Sequence, residues 1–311
     1  MTTIMNSIAV ESNPKEHASE SFVNDLVEQH AELALRHLGV LEKPEQTLLQ
    51  MPQAECSVVH HFGPGVCIRE VFMPAGTLAI GHKQKFDHLN IMLRGKVMIV
   101  KDDGNTQVLT APMIFTGKAG RKIGYVLEDM VWQNIYATDL TDSDAVEACF
   151  VEKSEDWLHD QQSKLAVEKL TRVEDRNDYF KLLDDCGIPH ELAKQQSENE
   201  YDQRWVDNQI TRIAESPIEG KGLFLTLPVK SGDIICAARI DGYRTQGGRF
   251  TNHSKTPNAK MVKLPNGNID LVALIDIEGC KGGSMGTEIT IDYRQALALS
   301  GIEFKELTCP Q

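Results

Sequence analysis

The chain has 311 residues, 41% of them hydrophobic and 25% charged, which is the balance of an ordinary globular protein with room for about two domains. Its net charge of −13 argues against a nucleic-acid-binding surface. No apolar run reaches the roughly 18 residues a membrane helix needs, and the opening MTTIMNSIAVESNPKEHASE lacks a basic start and an apolar block, so neither a membrane span nor a signal peptide is expected.

The seven cysteines (Cys56, Cys67, Cys149, Cys186, Cys236, Cys280 and Cys309) are scattered and never form a CxxC pair. That points to reduced thiols in a cytoplasmic protein, and away from a disulfide frame or a structural zinc site. Charge divides the chain: residues 1–205 carry 20 Lys+Arg against 33 Asp+Glu, and residues 206–311 carry 12 of each. Such asymmetry hints at two modules.

In chain order, residues 1–45 read as an N-terminal helical segment. Val23, Val27, Ala31, Ala34 and Leu38 have the spacing of one helix face over 17–39, and Gly39 is a stop. Within residues 46–160, the chain from about Cys56 to Val151 reads as short strands, VCIREVFM, HLNIMLRGKVMIV, IGYVL, MVWQNIY and AVEACFVE, with Gly, Pro and Asp-Gly between them. That pattern predicts a barrel or sandwich. Residues 161–205 read as a helical linker: LAVEKLTRVEDRNDYFKLLDDCG ends at Cys186-Gly187, and Pro189 opens a shorter helix. Strand signals return in 206–311 with ITRIA, GLFLTL, DIICAARI, LVALIDI and EITIDY. The fold class predicted is mainly β (α+β).

Three stretches of the last segment stand out: Gly220-Lys221-Gly222, RFTNHSKTPN over 249–258, and EITIDY over 288–293. Taken singly, each has a plain reading as a turn, an Asx-turn with a solvated histidine, or a core strand. In this order they resemble the SET-domain lysine methyltransferases, whose pattern is a GxG, then R-F-x-N-H-S-x-x-P-N, then E-[IL]-T-x-D-Y. The resemblance covers about residues 209–294. A short insertion, CKGGSMGT, separates Ile277-Glu278-Gly279 from Glu288.

The resemblance implies a SET domain of small β-sheets with a C-terminal pseudoknot, S-adenosyl-L-methionine as cofactor, and a protein substrate with a target lysine. It implies main-chain contacts to the cofactor from Lys221, Gly222 and Leu223. Asn252 and His253 would clamp the adenosyl part of the cofactor through side-chain and backbone groups, with Arg249 and Phe250 setting the strand that leads into them. Ser254, Pro257 and Asn258 would be structural. Tyr293 would be the catalytic tyrosine. Tyr243 is a second aromatic for the channel wall, with an ordinary surface or core tyrosine as the alternative. No carboxylate–histidine pair is apparent, which fits a reaction in which a desolvated lysine needs no dedicated base. Many members close the channel with a zinc-binding cysteine cluster. Only Cys309 follows Tyr293 here, so another group must do so, and Phe304 is the candidate.

Residues 74–100 resemble the first cupin motif: Gly76, His82 and Gly95 fit it, Gln84 takes the place of the second histidine, and His88 falls near the acidic position. That implies a cupin-like β-barrel over 46–160. His82, Gln84 and His88 are the only metal-ligand candidates, with no fourth ligand in 111–125. Barrels of this kind commonly pair, so a homodimer through this domain is expected. A cupin-like domain, helical linker and SET domain together resemble architectures in bacteriophage genomes, which would put the protein in the host cytoplasm. Three readings stand: a lysine methyltransferase, a metal-dependent cupin enzyme, and a structural or host-targeting interaction protein with an idle SET module.

Overall fold

The computed structural model describes residues 14–299 except 200 and 207, with side chains from residue 23 onward. The chain is α+β, with several antiparallel sheets built mostly of short strands and with helices that together span nearly as many of the described residues. Among the described residues no helix is long and apolar enough to cross a membrane.

Helices α1 (Pro14–Gly39) and α2 (Pro44–Leu49) lead into a seven-stranded sheet. Its strands are β1 (Val58–Gly63), β2 (Val66–Met73), β3 (Leu78–Ile80), β5 (His88–Val100), β6 (Thr106–Thr110), β7 (Met113–Gly117) and β8 (Ile123–Ala137). The two-residue β4 (Lys83–Gln84) lies outside this sheet and pairs with β9 (Val151–Glu152). The order is β1-β2-β8-β5-β6, with β3 also on β8 and β7 also on β5. Strand β8 buries Val126, Met130, Trp132, Asn134 and Tyr136 at period two. Strand β5 buries His88, Asn90 and Met92, then Val97, so its inward positions change from even to odd. The change falls on register shifts between Met92 and Val97. Gly95 sits there with φ +91°, where any Cβ would collide with the Asp129 carbonyl. A bulge of this kind bends a long strand so that it curls around an interior.

Two sequence expectations shift. Helix α1 buries Ala31, Leu35 and Leu38, while Val23 and Val27 are exposed. The contact face is therefore displaced from the one counted, and it packs on Met98, Leu78 and Tyr125. The segment AVEACFVE is mostly helix: α3 spans Ser143–Phe150, followed by β9. Asp142 caps it by accepting a hydrogen bond from Ala145 N at 2.8 Å, and Val146 and Glu147 are buried on one side. The cap and the tertiary contact override the β-branched composition.

The middle of the chain is helical: α4 (Glu155–Thr171), α5 (Val173–Asp185) and α6 (His190–Glu198), with α5 stopping at Cys186-Gly187 as predicted. The rest holds a hairpin, β10 (Thr211–Glu215) with β11 (Lys221–Leu225). A four-stranded antiparallel sheet follows, ordered β13 (Tyr243–Arg244), β12 (Ile234–Ile240), β16 (Ile269–Ala273), β15 (Ala259–Lys263). Leu223, Leu225, Ile235, Leu271, Ile289 and Ile291 form its core. After α7 (Gln246–Phe250), β14 (Asn252–His253) runs parallel to β17 (Thr290–Ile291), and α8 (Tyr293–Ala298) follows.

Among the described residues the two halves meet at Arg212 and at the insertion after Gly279. Arg212 of β10 reaches Asp144 and, at 3.2 Å, Glu147. The insertion after Gly279 hydrogen-bonds back to the first half, Cys56 N to Cys280 O at 3.0 Å and Gly282 N to Ala54 O at 2.9 Å.

Candidate functional site

The parallel pairing of β14 with β17 brings the three sequence stretches together. Asn252 faces Thr290 and His253 faces Ile291 across the ladder. The interlock is reinforced by Asn258, whose Nδ2 donates to Glu288 O at 2.8 Å and whose Oδ1 accepts from Thr290 N at 2.8 Å. Ser254 and Asn258 are buried. Arg249 and Phe250 lie in the helical turn α7, rather than in a strand, because Thr245 caps that turn through Gly248 N.

Asn252 Nδ2 shares its protons among Glu219 O (3.1 Å), Lys221 O (3.2 Å) and Glu288 Oε1 (2.8 Å). Ser216 Oγ donates to the same Glu288 oxygen at 2.8 Å. A Cβ on Gly222 would collide with this carboxylate, so only glycine lets β11 pass so close. Glu288 is 4% exposed and its Oε2 has no hydrogen-bond partner among the described residues. Burial pushes its pKa up, against the hydrogen bonds from Asn252 and Ser216.

His253 is fully buried. Its Nδ1 accepts the Tyr293 N–H at 3.2 Å, so the proton of the neutral ring lies on Nε2, which donates to Asp178 Oδ2 at 2.9 Å. A carboxylate–histidine pair is therefore present, contrary to expectation. It came from a helix read only as a linker. Both ring nitrogens are engaged, which makes the pair an orienting device rather than a free base. Asp178 also takes a bidentate pair from Arg294, at 2.8 and 3.1 Å. Arg294 first, then His253, hold the carboxyl down to about 2 against its burial.

Tyr293 closes the arrangement. Its hydroxyl donates to Thr251 O at 3.0 Å, and burial raises the phenol far above its ordinary value, so it stays un-ionised. The Tyr179 ring meets it edge-on at 5.9 Å. Helix α5 reaches both neighbouring loops: Asp175 accepts from Ser254 Oγ and Lys255 N, each at 2.9 Å, and Arg176 donates to Pro217 O and Ile218 O at 2.6 and 2.7 Å.

Of the residues expected at the site, Lys221, Gly222, Asn252, His253 and Tyr293 come together. Leu223 is fully buried in the core. Arg249 points its guanidinium at Ser197 O (2.7 Å) and the Gln203 side chain. Tyr243 is half-exposed at the β12–β13 hairpin, and no ring contact among the described residues joins it to Tyr293. Phe304 lies outside the described residues. Sequence reasoning missed Glu288, Asp175, Asp178 and Tyr179. Glu288 stood in a quoted motif. The other three recur at helical spacing in EDRNDY, a signal that helices give on any polar face.

In the first half, His82 meets Trp157 edge-on at 4.9 Å, Gln84 Oε1 accepts from Tyr136 OH at 2.9 Å, and His88 Nδ1 faces Phe86 O at 3.0 Å. Among the described residues no three His, Cys, Asp or Glu side chains gather as a metal would need.

No protein-family model matches the chain, and no curated protein matches it. Solved structures with some likeness include a cupin domain from Bordetella pertussis Tohama I, at 17% identity over 28% of this chain and 98% of that one, TM-score 0.24. Another is a cupin superfamily protein from Desulfitobacterium hafniense DCB-2, at 15% identity over 31% and 89%, TM-score 0.23. A third is KdgF from Halomonas sp., at 14% identity over 29% and 81%, TM-score 0.23. Likenesses this slight carry no argument about the chain's fold or activity.

Proposed function

We propose that the second half is a SET-type protein-lysine N-methyltransferase that uses S-adenosyl-L-methionine, with the β14–β17 interlock as its pseudoknot. The observation that carries this reading is the meeting of Asn252, His253 and Tyr293 across one parallel ladder, with the Tyr293 hydroxyl fixed on Thr251 O. The residues fit the cofactor's amino-acid end. Glu288 offers a buried oxygen without a partner, beside Asn252 and the glycine that permits close approach, and an ammonium group would satisfy it. When bound, the cofactor supplies a methyl group already activated on a sulfonium.

The chain's own residues then have four tasks. Glu288 holds the amino-acid end, and Asn252, expected on the adenosyl part, is drawn to that end by its bond to Glu288. His253, fixed by Asp178, holds the Tyr293 backbone in place. The un-ionised Tyr293 donates to Thr251 O and keeps its oxygen lone pairs for an N–H of the incoming amine. Tyr179 and the buried wall exclude water, which lowers the pKa of that amine and favours its neutral, nucleophilic form. The proton leaves to solvent before the amine enters, so no dedicated base is required.

The test is calorimetric titration of S-adenosyl-L-methionine into wild type and Asn252→Ala, followed by incubation with labelled cofactor and bacterial lysate. Binding lost in Asn252→Ala, with a labelled band lost in Tyr293→Phe, supports the enzyme. Absence of binding at millimolar cofactor would sink it.

A further inference from the structure

The curled sheet of the first half lines an open cavity of about 600 Å³, a size that suits a small organic ligand. Val97, Ile99, Val126, Met130 and Trp132 form an apolar wall. Its other side is lined by α2, by Trp157 of α4, and by Gly282 and Gly283 of the insertion from the second half.

One end of this cavity is different. Lys122 and Asn134 stand in its wall. Asn134 Nδ2 donates to Asn90 Oδ1 at 2.8 Å, and Trp132 Nε1 donates to the same oxygen at 3.0 Å. That fixes the Asn90 amide with Nδ2 turned away from both. Asn90 is fully buried and His88 is 7% exposed, and the two side chains stand beside one another behind the wall. A methyl group on Gly117 would touch Asn90 Nδ2, Lys122 Nζ (2.9 Å) and His88 Cε1 (3.2 Å), so the three side chains converge. Lys122 is partly buried, burial lowers its pKa, and no carboxylate among the described residues pairs with it. The cavity's other cation, Arg69, is occupied by Glu147 at 3.4 Å.

A partly buried cation without a counter-charge is costly unless something negative joins it. One cation matches one negative charge. The apolar wall matches an alkyl or aryl body. We propose that this cavity binds an amphiphilic monocarboxylate without a metal, its carboxylate on Lys122 and its apolar body along Val97, Ile99 and Met130. This site is independent of the methyltransferase reading.

Decanoate and decanol are suitable probes, because they share a body and differ in the charged head. Titrated calorimetrically into the full-length protein, decanoate should bind wild type and bind Lys122→Met at least about tenfold more weakly, the size of a charge-assisted hydrogen bond. Decanol should bind both alike. No heat with decanoate, or equal decanoate affinity in the two proteins, overturns the proposal. Should Lys122→Met fail to fold, wild type alone still decides. 2-Bromodecanoate should quench tryptophan fluorescence saturably through Trp132, and decanoate should reverse it. Absence of such quenching overturns the proposal as well.

Discussion

Asp178 accepts a hydrogen bond from His253 Nε2 at 2.9 Å, joining a mid-chain helix to the residue next to Asn252. Asp178→Ala removes this bond and both bonds from Arg294. At this partly open position solvent screening limits the loss to about 1–2 kcal/mol. Cofactor affinity should fall as well, because His253 no longer fixes Tyr293, and Asp178→Asn should recover part of the stability. The depressed pKa sets the sign of the pH dependence: the stabilisation is complete above the ordinary aspartate pKa and is lost as pH falls toward about 2. Thermal melts of wild type and variant from pH 7 downward should therefore converge in acid.

Glu288 makes the opposite prediction. Burial raises its pKa, so its ionised form weakens the fold at neutral pH. Glu288→Gln should raise the melting temperature at pH 8, with little change near pH 4. It should also weaken cofactor binding roughly tenfold, the cost of replacing a charged acceptor of an ammonium by a neutral one. A variant that is stabler and binds less well would separate the residue's two effects in one pair of measurements.

The buried contact between the halves centres on Glu147. Burial alone would raise its pKa, but Arg69, Arg212 and Lys153 together outweigh burial and hold it well below the usual range. Glu147→Gln leaves Arg69 and Lys153 without their counter-charge and Arg212 with Asp144 alone, and should cost about 3 kcal/mol by denaturant unfolding. Arg212→Met should cost less, since Arg69 and Lys153 remain with Glu147.

Two histidines predict a further acid sensitivity. Burial first, then Arg69, lowers His60 to about 3 and His82 to about 4. Both are neutral in the fold and charged in the unfolded chain below about 6.5. Their contribution is therefore present above that value and lost as pH falls, by up to about 1.4 kcal/mol per pH unit for each. The double variant His60→Gln/His82→Gln should flatten the pH dependence of the melting temperature between pH 6 and 4.

The part of the candidate site that could be read in the sequence is the part whose residues are contiguous. RFTNHSKTPN and EITIDY each lie on one short segment, and the interlock of Asn258 with Glu288 and Thr290 follows from their side-chain chemistry. The contribution of α5 could not be read. Asp175, Asp178 and Tyr179 occupy a helix face that looks solvated until the fold brings it against Ser254, His253 and Tyr293. AVEACF misled because its β-branched and aromatic residues outweighed Asp142, whose capping decides the local structure. The even-to-odd switch in β5 is visible in sequence only as Gly95, and its position opposite Asp129 is a tertiary fact.

The reach of α5 bears on how this protein can be divided. A fragment beginning at residue 206 would look complete by its strands and motifs. It would nevertheless lack Asp175, Arg176, Asp178 and Tyr179, and so leave His253, Ser254 and Tyr293 exposed on one side. The unit to transplant or express alone starts upstream of Val173, so in this chain the border drawn by composition and the border drawn by contacts fall in different places.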